Sequence, residues 1–76
     1  MKYEVYVLGV AFHGWKKFSE NTVEAVFDDF MNWYSAENSG GEFVFLFFVD
    51  GKLMSYEIGD KEKVRKKLEV IKNGRS

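Results

Sequence analysis

Residues 42–58 read EFVFLFFVDGKLMSYEI, and this stretch decides the fold. Its first eight residues are a β-prone run of Phe, Val and Leu behind a single Glu. Asp50-Gly51 follows, a pair preferred in two-residue type I′ hairpin turns because both central positions need positive φ. Lys52 to Ile58 is then the return strand. A hairpin with strands at 42–49 and 52–58 is predicted.

A two-residue turn sets the register of the strands it joins. Val49 then faces Lys52, Phe48 faces Leu53, Phe47 faces Met54 and Leu46 faces Ser55. Further along, Phe45 faces Tyr56, Val44 faces Glu57 and Phe43 faces Ile58. Directly opposed residues share a sheet face. One face would then be Phe43, Phe45, Phe47, Met54, Tyr56 and Ile58, apolar throughout. The other would be Val44, Leu46, Phe48, Leu53, Ser55 and Glu57, apolar near the turn and polar at its far end. The run 43–49 is also uncharged and free of Pro, an aggregation hazard that Glu42 and Asp50 flank as gatekeepers.

Upstream of the hairpin, Val23, Val26, Phe27, Phe30, Met31 and Tyr34 recur at helical spacing, which predicts a helix over about 20–34. Two start signals compete: a capping box of Asn21 with Glu24, and Ser19 as cap with Phe18 stapled onto Val23. Asn38-Ser39-Gly40-Gly41 ends the segment with loop chemistry. The chain begins with a strand over about 2–12, alternating at first and then apolar on both faces at Tyr6, Leu8 and Val10. His13 to Lys17 reads as a loop. Downstream, Gly59-Asp60 breaks the return strand and Asp60 is a candidate N-cap. A helix over 61–73 follows, with Val64, Leu68 and Ile71 as its stripe and Gly74 as its stop.

The expected fold is a single α+β domain over residues 1–76, of order β-α-β-β-α. Its three-stranded sheet (2–12, 42–49, 52–58) has both helices packed on one face. The strand at 42–49 is expected to lie centrally, with a first strand in the middle as the alternative, and a right-handed crossover would make the two parallel.

Composition narrows the function classes. With no Cys in 76 residues, disulfides and thiolate metal sites are excluded. A chain this small has a thin core, and here aromatic residues, 18% of the total, must supply it. No leader-like segment opens the chain, and the longest apolar run is too short to cross a membrane. A cytoplasmic location with no membrane partner is expected. The net charge is −1, but it is unevenly spread. Residues 1–59 hold four Lys against nine acidic residues, and residues 60–76 hold seven Lys and Arg against three. Such asymmetry marks either an interaction surface or two solvated helices of opposite sign.

Catalysis finds little support. The sole histidine, His13, stands between Phe12 and Gly14 with no nucleophile or orienting acid in a recognisable pattern. Glu24 and Asp28 share a helix face, but two carboxylates fall short of the six to eight oxygens calcium takes. No glycine pattern cradles a phosphate. No catalytic residue, metal ligand or cofactor is therefore expected.

Binding is the better supported class. Two helices can cover one face of a small sheet but not both. The second face would present Tyr6, Leu8, Val44, Leu46, Phe48 and Leu53 as an apolar patch of several hundred Å². The expected function is that of a non-enzymatic protein-binding module, comparable with small stoichiometric inhibitors, antitoxins or phage-encoded modulators of host proteins. Its partner would be another protein, or a second copy of the chain in a homodimer. A bland alternative has the Trp15 segment folding over the patch to complete the core. The acidic helix surface of Glu24, Asp28 and Asp29 is a second docking candidate, suited to a basic partner. The rival class is nucleic-acid binding through Trp15, Lys16 and Lys17 with Lys63, Lys66 and Lys67. Against it, Glu62 can pair with Lys66, and Glu69 with Arg65 and Lys72, which would neutralise much of the basic stripe.

Overall fold

A computed structural model describes residues 1–9, 14–37 and 42–74. The elements are β1 (Tyr3–Gly9), β2 (Gly14–Glu20), α1 (Val23–Glu37), β3 (Phe43–Val49), β4 (Lys52–Gly59) and α2 (Lys61–Lys72). The α+β class stands, but the sheet has four strands in the order β2-β1-β3-β4 rather than three. The added strand is the segment read as a loop. Gly14–Glu20 pairs with β1 from Gly9↔Gly14 to Tyr3↔Glu20. Its local signal is weak because Trp15 and Phe18 are its only apolar residues, one per face. Pairing with β1 supplies what propensity does not. β1 is described over Tyr3–Gly9, and positions 10–12 of the expected strand lie outside the described residues. The predicted positions Val10 and His13, and the loop glycines Gly40 and Gly41, lie outside the described residues.

The extra strand also corrects the sheet's polarity. β2 reverses the chain before α1 begins, so β3 returns antiparallel to β1 and every pairing in the sheet is antiparallel. The expected parallel crossover between the strands at 2–12 and 42–49 does not occur. Both β1 and β3 are central, while β2 and β4 form the edges.

The two helices pack on one side of the sheet. Val26 and Phe30 of α1 and Val64 and Leu68 of α2 share one core with Val5, Val7, Phe18, Phe43, Phe45 and Phe47. α1 lies across β1 and β2, and α2 lies beside α1 over β4. Phe30 is the hub. Its ring meets Phe18 edge-on at 5.9 Å and Phe45 at 5.7 Å, and Tyr34 lies at 5.5 Å. Each fully buried side chain of this kind contributes about 1.5–3 kcal/mol, so Phe18 repays the ordering of a strand otherwise poor in apolar residues.

Helix starts follow side-chain capping. α2 is capped as expected, with Asp60 accepting from the Glu62 N–H at 3.0 Å. α1 uses neither predicted cap. Thr22 Oγ1 accepts from the Ala25 N–H at 3.1 Å instead, and the helix starts at Val23. Ser19 cannot serve because it is still paired with Glu4 in the sheet.

Candidate functional site

The predicted turn forms: Asp50 has φ +52° and Gly51 φ +81°. Pairing starts as expected with Val49↔Lys52 and Phe48↔Leu53. It then slips by one residue, so that Phe47 faces Ser55, Leu46 faces Tyr56, Phe45 faces Glu57, Val44 faces Ile58 and Phe43 faces Gly59. Met54 is the extra residue of a β-bulge. Because side chains alternate, one added residue moves everything beyond it to the opposite face.

The expected face compositions are therefore corrected from residue 54 onward. Ser55 and Glu57 belong to the helix side, and Tyr56 and Ile58 to the open side. Both assignments make chemical sense. Glu57 reaches Lys67 of α2 at 3.3 Å. Gly59, buried on the helix side, leaves room for the Lys63 stem; a Cβ there would come within 2.5 Å of Lys63 Cγ. Tyr56 and Ile58 stand 65% and 57% exposed.

The open side is thus more apolar than the uninterrupted register implied. β3 places Val44, Leu46 and Phe48 on it, half-buried by their neighbours. β1 adds Tyr6 and Leu8, opposite Leu46 and Val44. β4 adds Leu53, Tyr56 and Ile58, and β2 adds Trp15 opposite Leu8. All six predicted patch residues lie together on this side. Trp15, assigned to the rival nucleic-acid set, joins them. It does not close over the patch: it is 55% exposed and meets Tyr6 edge-on at 6.0 Å, extending the aromatic row through Tyr6 to Phe48 at 5.2 Å. Tyr56 and Ile58 were beyond sequence reasoning, since the alternation of 52–58 reads equally well in either register.

The charges on this side gather around Glu4. Glu4 is buried, and Lys17 Nζ reaches its carboxylate at 3.0 Å while lying 5.7 Å from the Tyr6 ring centre. The Glu4 carboxylate holds the lysine's pKa above its ordinary value. Lys2 lies 3.9 Å from Glu4 on the same side of β1 and donates its backbone N–H to Asp50 Oδ1 at 2.8 Å.

The other predicted sites are dispersed. The lysines of the nucleic-acid set fall on both sides of the sheet. Lys17 is on the open side and already paired, whereas Lys63, Lys66 and Lys67 of α2 line a shallow groove with Glu57 and Val70 on the helix side. Lys16 faces the helix side from β2, its Nζ 5.9 Å from the Phe18 ring centre. A single strand touching Trp15 and α2 would have to wrap around a sheet edge. The acidic set is broken up too. Glu24 is ion-paired with Lys72 across the two helices, which lowers its pKa. Asp29 lies beside Glu20 and raises the Glu20 pKa, and Asp28 is exposed. On α2 the expected Glu69–Arg65 pair forms at 4.0 Å, whereas Glu62 bonds Arg65 instead of Lys66 and Lys72 turns to Glu24 of α1.

Among the described residues no group of three or more His, Asp or Glu side chains could hold a metal ion. No helix among them is long and apolar enough to cross a membrane. Fold and face together define an open-faced sandwich, one layer of helices and one of sheet. The chain matches no known protein family, no curated protein and no solved structure. Function must be argued from the site itself.

Proposed function

We propose that this chain is a non-enzymatic protein-binding module that acts by stoichiometric docking through the open side of its sheet. One observation carries the reading: aromatic and aliphatic residues from all four strands form a continuous surface that neither helix covers. An antiparallel sheet normally turns a polar face to water. Here Leu8, Trp15, Leu53, Tyr56 and Ile58 are each 36–65% exposed. With aromatic side chains offering ~150–250 Å² each, and with the half-buried Tyr6, Val44, Leu46 and Phe48, the patch amounts to roughly 700 Å². The largest patch on a typical monomer is about 300–600 Å². Tyr and Trp are also the residues most enriched where binding energy concentrates.

The test is an affinity capture from host lysate with the wild-type chain and the Tyr56→Asp variant as baits. Tyr56 is mostly solvent-exposed on an edge strand, so the variant should keep the wild-type circular dichroism spectrum. Proteins retained by wild type and lost from the variant are the expected result. Identical capture profiles from two folded baits would remove the open side as the binding surface.

A further inference from the structure

Resting on that reading, we infer that the protein surface this face fits is a second copy of the same chain, the two sheets packed open side to open side. Area argues for it first. About 700 Å² from each copy gives a total near 1,400 Å², inside the ~1,200–2,000 Å² of standard stable interfaces.

Charge argues for it next. A face built for a charged partner carries an unbalanced complement. Here the buried Glu4 carboxylate is already held by Lys17, with the Lys2 ammonium 3.9 Å away, and the Asp50 carboxylate accepts the Lys2 backbone N–H at the turn end. The centre, from Leu8 through Leu46 to Tyr56, carries no charge at all. Such a surface can meet its own image without like-charge repulsion. That is the requirement of a two-fold interface, where one patch serves both partners. Two twisted sheets pack this way about 10 Å apart, with side chains of the inner faces interdigitating. The product is a four-layer assembly whose middle is a second hydrophobic core. A small chain with one thin core and no disulfide gains from this, because oligomerisation is a common staple at this size.

Sedimentation velocity on the purified chain over a hundredfold range of concentration tests the inference, with Tyr56→Asp and Ile58→Lys as variants. Both sites are exposed on an edge strand, and circular dichroism checks that each variant folds. The expected result is a species of twice the 8.9 kDa chain mass, insensitive to added salt, whose dissociation constant rises at least tenfold in each variant. A wild-type chain that stays monomeric throughout overturns the inference. In that case, lysate capture that still depends on Tyr56 leaves the binding-face reading intact, and capture indifferent to Tyr56 removes both. A dimer that survives both substitutions, or dissolves in moderate salt, also overturns the inference, because it is joined elsewhere.

Discussion

At the scale of single residues, Asp50 carries more than its place in a turn. Its φ of +52° is the left-handed conformation that Asp tolerates better than most residues with a side chain. It is also tied to the first strand from both ends: its N–H donates to the Lys2 carbonyl at 2.8 Å, and its carboxylate accepts from the Lys2 N–H at 2.8 Å. One residue therefore sets the hairpin and clamps it to β1. Asp50→Ala should cost about 1–3 kcal/mol, combining the left-handed penalty with a lost hydrogen bond. Asp50→Asn, which keeps both the tolerance and an acceptor, should cost a small fraction of that. Urea unfolding of the two variants beside wild type measures the difference, and equal losses would refute the account. The turn was legible because its chemistry is contained in two adjacent residues. The Glu4–Lys17 pair was not, since the chain separates those residues and only the β1–β2 ladder brings them together.

At the scale of elements, the bulge in β4 decides what the open side is made of. Met54 has no partner in the ladder, while Leu53 and Ser55 on either side of it do. Deleting Met54 should therefore leave every later pairing as it is, with Leu46 still opposite Tyr56 and Phe45 still opposite Glu57. Cross-strand nuclear Overhauser contacts at those two pairs check this. The deletion should be tolerated far better than removal of any one of residues 56–58, and a shift of the contacts to Leu46–Ser55 and Phe45–Tyr56 would refute it. Bulges also blunt exposed edges, so the deleted chain should aggregate more readily on heating. The elements with dense periodic patterns were legible: both helices and the 43–58 hairpin fall close to where their apolar spacing put them. β2 was not, because one apolar residue per face gives alternation too little contrast to stand out from a polar loop. The cap of α1 was missed for a related reason. Extending β2 to Glu20 takes Ser19 into the sheet and moves the cap to Thr22.

At the scale of the whole molecule, two carboxylates make stability depend on pH in opposite senses. The neighbouring Asp29 carboxylate raises the folded-state pKa of Glu20, so the folded chain holds a proton there more tightly than the unfolded one. That contribution is present in acid and is lost as pH rises through the folded-state pKa. Glu24, lowered by Lys72, contributes above the unfolded carboxylate value and loses its contribution as pH falls. Glu20→Gln should thus raise the urea midpoint slightly at neutral pH and leave it unchanged below the ordinary carboxylate range of about 4. A benefit that persists undiminished in acid would show that the repulsion with Asp29 is not its source. The candidate site was half legible at this scale. Its six inner residues follow from the turn and the helix count, while Trp15, Tyr56 and Ile58 depend on a strand and a bulge that only tertiary pairing reveals.

The bulge has a consequence for how this surface could change over generations. Beyond Met54, greasy and wettable residues alternate in Ser55, Tyr56, Glu57 and Ile58, and spacing alone determines which pair looks outward. A gain of one codon between Met54 and Ser55 would exchange the two sets without altering the character of the chain by any compositional measure. Adhesiveness along this edge is thus inherited as a count of residues, and a lineage could acquire or discard it in a single in-frame step that no tally of amino acids would detect.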